Sequence, residues 1–439
     1  MARREFRTPL PFSAELVRAY HERPGAFQRL VPPWDPVEVL EQHGTVHEGD
    51  RLVMRIPPGV RWEAVHHPIP DGFVDEMVSG PLASWRHAHR FVAEGEGCVI
   101  HDEIEFAPDL AGWLADGRLE RMFAFRARRL QNDLSRLAGR PAQRVLLAGA
   151  SGLLGTQLAA LLRVGGHDVR QLVRRPLGAP LGAGEVRWDP ARGELDPAAL
   201  AGVDVLVSLS GENVGEGAWT DERKRALVES RLSVTTLLAR RLREAEPRPR
   251  VWLSASAVGY YGDTGDTEVD EASPRGAGFL AELCERWEAA AEAIPGVRGV
   301  HVRFGVVLSA RGGALAKMAT PFRLGGGGPI GGGRQWFPWI SADDAVYGLL
   351  HLMFDEARSG PVNLVAPHPV RQGEFATALG AAVHRPALVP LPAFAVRAGF
   401  GQMGQEVLLA GQRVRAKALD GRFVFAFPDR ADALRWELG

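Results

Sequence analysis

Lysine occurs at only three of 439 positions (Lys224, Lys317 and Lys417), tyrosine at four (Tyr20, Tyr260, Tyr261 and Tyr347) and cysteine at two (Cys98 and Cys284). Each scarcity excludes something. Two cysteines this far apart make neither a disulfide framework nor a metal-ligand spacing, and free thiols fit a reducing compartment, so the cytoplasm is expected. Four residues after each tyrosine stand Pro24, Thr264, Gly265 and His351, so the chain has no Tyr-x-x-x-Lys. No apolar run approaches the ~20 residues that span a bilayer. Nor does an apolar run follow the opening Met1-Ala-Arg-Arg-Glu-Phe6, so no signal peptide is read. The formal net charge is only -1, which argues against a nucleic-acid or membrane-surface binder. No internal repeat of solenoid period stands out.

What is present is core-forming: 46% of residues are hydrophobic and 24% charged, too apolar for disorder, and the length suits two or three domains. Up to about residue 138, short alternating runs such as Leu52-Val-Met-Arg-Ile56 and Cys98-Val-Ile-His-Asp-Glu-Ile-Glu-Phe106 predict strands. A helix is predicted over 116–137, with Leu119, Met122, Phe123, Leu130 and Leu134 on one face. Gly139-Arg-Pro141 then breaks the pattern, and the first domain is set at 1–139. From residue 143 strands and helices alternate. Strands are predicted over 145–148, 169–173, 204–209, 251–255 and 300–304, with helices over 153–164, 220–245 and 279–293. That alternation predicts a parallel, doubly wound sheet of Rossmann type. A glycine-rich stretch over 325–333 is expected to be a mobile lid.

The sharpest motif is Gly149-Ala-Ser-Gly152-Leu-Leu-Gly155, placed between a strand and a helix. Unpaired amides at a helix N-terminus suit a pyrophosphate, and glycine lets it approach. Gly149, Ser151, Gly152, Leu153, Leu154 and Gly155 are therefore expected to hold a dinucleotide. The second strand ends in Arg174-Arg175 where an NAD site would carry an acid. Guanidinium groups pair with a 2′-phosphate, so NADP(H) is expected in preference to NAD(H).

The stretch from Arg144 onward resembles the NAD(P)-dependent epimerase/dehydratase group, the extended short-chain dehydrogenases. Within it, the chain is similar to an epimerase branch described as cell-division-inhibitor-like. The motifs that carry this are Gly149 to Gly155, Ser210-Gly-Glu-Asn213, Ser254-Ala-Ser-Ala-Val-Gly-Tyr-Tyr-Gly262, Leu283-Cys-Glu-Arg-Trp-Glu288, Arg303-Phe-Gly-Val-Val-Leu308 and Trp339-Ile-Ser-Ala-Asp-Asp344. The tail, including Leu408-Leu-Ala-Gly-Gln-Arg-Val414, resembles that branch's small C-terminal domain. The resemblance implies an α/β Rossmann domain over 143–386 and the small domain over 387–439, packed on the substrate side. It adds Ser210, Gly211, Ser254 and Arg303 to the cofactor-binding set. Arg29-Leu-Val-Pro-Pro-Trp34 and Gly80-Pro-Leu-Ala-Ser-Trp-Arg-His-Ala-His89 are similar to the cyclase/lipid-transfer superfamily. That implies an α+β helix-grip fold with an apolar ligand for residues 1–139.

Members of the dehydrogenase group use a tyrosine as acid/base and a lysine one turn later. Here, depending on alignment, that pair is replaced by Phe279/Leu283 or Leu280/Cys284. The family serine survives as Ser256, and Tyr260 and Tyr261 follow it; these three are the catalytic candidates. Cys284 is a thiol nucleophile if a cation lies near, and a small core residue otherwise. Gln335, Trp339 and Asp343 are weaker substrate-side candidates. Trp85, His87, His89 and Phe91 alternate along one predicted strand, with His101, Asp102 and Glu103 nearby. A metal would need a third ligand that the spacing does not supply, so cavity-lining histidines are expected and no metal.

Two functions fit these readings. One is an NADP(H)-dependent oxidoreductase or epimerase acting on a small carbonyl, hydroxyl or sugar-nucleotide-like substrate. The other is a non-catalytic NADP(H) sensor whose first domain binds an apolar ligand. Neither calls for nucleic acid or a membrane span, and the sequence leaves the oligomeric state open.

Overall fold

The computed structural model describes residues 2–35, 37–43, 46, 49–56, 59–107 and 112–439. The chain forms two compact units. One comprises Met1–Pro141 with Ala160–Gly166 and Gly439, and the other Ala142–Ala159 with His167–Leu438.

The first unit is built on β1 (Ala2–Leu10), α1 (Ala14–Glu22), α2 (Ala26–Leu30), β2 (Glu38–His43), β3 (Arg51–Ile56), β4 (Val60–Ile69), β5 (Gly72–Ser79), β6 (Trp85–Glu94), β7 (Gly97–Phe106) and α3 (Gly112–Leu137). Its sheet runs β1-β7-β6-β5-β4-β3-β2, antiparallel throughout. The long helix α3 lays Leu119 and Phe123 on Ile104 and Phe106, and Phe123 stacks on Phe6 at 4.0 Å. Helix propensity alone does not seat α3; a buried ion pair does. Arg29 of α2 donates from Nε and Nη2 to Asp133 at 2.9 and 2.6 Å, and Tyr20 of α1 donates to the same carboxylate at 2.7 Å. Both members of the pair are fully buried, so removing one would leave a costly lone charge.

The second unit is the doubly wound sheet, preceded by the helix-grip-type unit as expected. Its elements are β8 (Arg144–Ala148), α4 (Leu153–Val164, of which the residues from Ala160 on count with the first unit), β9 (Asp168–Val173), β10 (Glu185–Asp189), β11 (Glu194–Leu195), β12 (Val205–Ser208), α5 (Asp221–Glu244), β13 (Val251–Ala257), β14 (Glu268–Val269), α6 (Phe279–Ala290), β15 (Arg298–Phe304), β16 (Val306–Ser309), α7 (Gly313–Arg323), β17 (Trp336–Phe337), β18 (Trp339–Ser341), α8 (Ala342–Phe354), β19 (Gly360–Leu364), β20 (Val370–Arg371), α9 (Gln372–Ala382), α10 (Ala393–Met403), β21 (Arg413–Val414) and α11 (Arg430–Leu438). The main sheet runs β11-β10-β9-β8-β12-β13-β15-β19, parallel from β10 to β19. Strand order therefore reverses between β8 and β12, the switch point where such sheets bind ligands. The strands are apolar on both faces because helices cover both; Leu146, Leu206 and Trp252 pack with Leu238 and Leu242 of α5 on one side. No described helix is long and apolar enough to cross a membrane.

Candidate functional site

Geometry explains each glycine of the 149–155 loop separately. Gly149 has φ +83°, and a β-carbon there would stand 2.8 Å from the backbone of Leu209, just past β12. Position 149 thus needs glycine twice over, for its left-handed backbone and for the close approach at the switch point. A β-carbon at Gly155 would lie 2.1 Å from the Gly149 oxygen, so this glycine lets α4 start tight against the loop. Gly152 differs: its β-carbon would meet only the Gly149 oxygen, at 3.3 Å. It is exposed along with Ser151, leaving the amide end of α4 open to an anion. The cradle fits a pyrophosphate, and Ser210 and Gly211 continue from β12 on the other side of the switch point.

The two arginines after β9 part company. Arg175 is committed to Glu185 of β10, with Nε and Nη2 each 2.8 Å from a carboxylate oxygen. Arg174 is exposed and makes no ion pair or side-chain hydrogen bond among the described residues. Of the two, Arg174 is the one whose guanidinium is unspent among the described residues.

At the C-terminal ends of β13, β15 and β19 a buried polar network assembles. Ser256 donates to Glu288 of α6 at 2.6 Å. Arg303 holds the same carboxylate with two bonds of 2.7 Å and donates to the Tyr261 oxygen at 2.9 Å. Tyr261 in turn donates to Asn363 at 2.8 Å. Burial raises the Tyr261 phenol above its usual range, although the Arg303 guanidinium pulls the other way. Burial opposes charge on Arg303, but the Glu288 carboxylate outweighs it and raises the guanidinium pKa. Ser256, Tyr261 and Arg303 are at most 3% exposed, so their polar atoms serve one another first. Ser254 is buried within β13. Tyr260 is only half-buried, lies 3.6 Å under the Arg303 guanidinium, and its hydroxyl has no hydrogen bond among the described residues. Glu288 and Asn363 were not singled out as site residues from sequence. A charge two turns into a helix reads as solvated until the arginine facing it is known.

The start of α6, where the tyrosine of a Tyr-x-x-x-Lys would stand, is occupied differently. The Glu406 carboxylate accepts from the backbone amides of Phe279 and Leu280 at 3.1 and 2.9 Å, and Gln402 donates to it at 2.7 Å. A cleft of about 120 Å³ lies beside this cap, lined by Gly259, Gly262, Leu280, Glu406 and Gln412 among others. Cys284 is buried in α6, and burial, then the Glu288 charge, pushes its thiol up to about 11, which suits a small core residue better than a thiolate.

The 325–333 loop is pinned rather than loose, contrary to the expectation of a mobile lid. Val389 donates to Gly327 at 3.0 Å, Leu391 to Pro329 at 2.8 Å, and Gly331 back to Leu391 at 2.9 Å. Glycine there serves close backbone contact; a β-carbon on Gly328 would stand 2.3 Å from the Val389 oxygen. Gln335 is spent on the carbonyls of Ile330 and Leu408. Trp339 is core, and Asp343 accepts from the Trp436 indole at 2.7 Å. These three side chains are bound up in the fold of the C-terminal part.

Comparison with known proteins accords with this geometry. Residues 145–364 match the NAD dependent epimerase/dehydratase family. Residues 391–437 match a domain of unknown function (DUF1731), and residues 10–135 match the polyketide cyclase/dehydrase and lipid transport family. The epimerase family protein Mb2239 of Mycobacterium bovis is 45% identical over 278 residues, covering 63% of this chain and 91% of that protein. The human epimerase family protein SDR39U1 is 40% identical over 298 residues, covering 66% and 98%. Among solved structures, a nucleoside-diphosphate sugar epimerase from Corynebacterium glutamicum aligns with TM-score 0.83 at 33% identity, covering 99% of this chain and 90% of that one. The human SDR39U1 structure with NADPH aligns with TM-score 0.62 at 38% identity, covering 67% and 99%.

Proposed function

The chain belongs to the NAD dependent epimerase/dehydratase family, and from that premise we propose that it is an NADP(H)-dependent oxidoreductase or epimerase acting on a small carbonyl, hydroxyl or sugar-nucleotide-like substrate. The observation that carries this reading is the glycine cradle at the switch point together with the unspent guanidinium of Arg174. The human relative solved with NADPH and the sugar epimerase from C. glutamicum support it. The proposed division of the chain remains 1–139, 143–386 and 387–439.

When bound, the nicotinamide supplies a hydride donor or acceptor; the rest falls to this chain's own residues. Gly149, Ser151, Gly152, Leu153, Leu154 and Gly155 would hold the pyrophosphate by backbone amides, with Ser210 and Gly211 across the switch point. Arg174 would pair with the 2′-phosphate, while Arg175 braces β10 through Glu185. Tyr260 is the proposed proton donor, because its ring is only half-buried and its hydroxyl makes no hydrogen bond among the described residues. Ser256, Tyr261 and Arg303 would act one step back, holding Tyr260 and the strand ends in place; Ser254 lies on the same strand.

Calorimetric titration with NADPH and NADH tests the cofactor half. The expected result is preference for NADPH, lost in Arg174→Ala by ~10-fold or more and largely kept in Arg175→Ala. Equal losses in both variants would put the 2′-phosphate elsewhere. NADPH oxidation against carbonyl compounds tests the catalytic half, with Tyr260→Phe expected to lower turnover ~10²-fold or more. Tight NADPH binding with no turnover on any compound would favour a sensor.

A further inference from the structure

The inward face of the first unit's sheet carries polar atoms that the fold leaves unmatched. Strand register sets Asp75 of β5 opposite His87 of β6, and His89 of β6 opposite Asp102 of β7. His87 and His89, two residues apart on one strand, point to the same face, with ring centroids 3.8 Å apart. His87 Nε2 lies 3.0 Å from Asp102 Oδ1, and His89 Nδ1 lies 2.7 Å from the same oxygen. That second approach is out of line for a hydrogen bond. His89 Nδ1 is buried without a hydrogen-bond partner, and so are Asp75 Oδ1 and Arg126 Nε of α3. Interiors seldom leave one such atom unpaired, and a group of them points to something polar held among them.

We propose that His87 Nε2, His89 Nδ1 and Asp102 Oδ1 are the three protein ligands of a divalent transition-metal ion inside the first unit, with a coordination position open to an oxygen ligand. The sequence lacked an assignable third ligand; strand pairing supplies it, because His89 and Asp102 are cross-strand partners. Two imidazoles and one carboxylate form a donor set suited to iron(II) and zinc. Three protein ligands leave the open position of a reactive site rather than the closed shell of a structural one. The three ligand atoms lie within 4.8 Å of one another. Around an ion at ~2.1 Å from each, tetrahedral ligands stand about 3.4 Å apart, so Asp102 need withdraw only a fraction of an ångström.

Arg126 is the adverse neighbour. It faces Asp102 and Asp75 together. On α1, His21 Nδ1 lies 2.8 Å from the Val17 oxygen. That carbonyl only accepts, so Nδ1 carries the proton and Nε2 the lone pair. The His21 ring is 6.3 Å from that of His89.

The test uses the full chain, stripped with a chelator and titrated with Co²⁺, with Zn²⁺ as competitor. The expected result is about one equivalent of Co²⁺ per chain, with the intense visible bands of a four- or five-coordinate ion, displaced by Zn²⁺. His89→Gln should weaken retention ~10-fold or more. His67→Ala, an exposed histidine outside the cluster, should leave it unchanged. A pale spectrum like that of the aqueous ion, or saturable binding that His89→Gln does not weaken, overturns the proposal and leaves a hydrated polar interior. The wild-type spectrum decides even if a variant does not fold.

Discussion

At Gly155 a single methyl group decides the fate of a loop. A β-carbon there would stand 2.1 Å from the Gly149 oxygen and 2.9 Å from the Ala150 Cα, both of them backbone atoms that cannot swing aside. Gly155→Ala should therefore destabilise the second unit by about 1–3 kcal/mol and weaken NADPH by ~10-fold or more. Urea unfolding and titration check the two effects, and an unchanged affinity would mean the cradle is not the nucleotide site. The glycine spacing was readable in the sequence because it is local. Adjacent arginines are equally local, yet their division of labour was not readable, since Glu185 reaches Arg175 from another strand. Arg303 is the extreme case. Its partners come from two other places in the chain, Glu288 of α6 and the adjacent Tyr260 and Tyr261, and no spacing predicts such a network.

At the level of elements, periodicity served helices best. The 153–164 helix has the expected limits, and α5 runs Asp221–Glu244 with Thr220 as its cap, accepting from the Arg223 amide. Strands of the first unit were harder, because each is half-buried and interrupted by polar residues that face inward, His87, His89 and Asp102 among them. The glycine-rich loop was misread as mobile for a related reason: the Val389–Leu391 segment that pins it is sixty residues away in the chain. The cap of α6 is another long-range feature. Glu406 satisfies two amides at the helix start and complements its dipole. Glu406→Ala should cost about 1–2 kcal/mol, read as a lower urea midpoint with no change in slope. A variant as stable as the parent would mean that water replaces the carboxylate freely.

On the scale of the whole molecule, the composition foretold two kinds of texture, and the two compact units follow the change from alternating strands to strand-helix repeats. Each unit holds one buried cysteine: Cys98 in β7 of the first and Cys284 in α6 of the second, 1% and 3% exposed. Burial raises both thiols, so neither is modified until its surroundings open. The chain thus carries two internal clocks, one per unit, each started by local opening and readable by mass after alkylation. A nucleotide held by the 149–155 loop should slow only the second. At a hundred times its dissociation constant, NADPH should lengthen the labelling time of Cys284 by up to ~100-fold and leave that of Cys98 alone. Added Zn²⁺ should do the reverse.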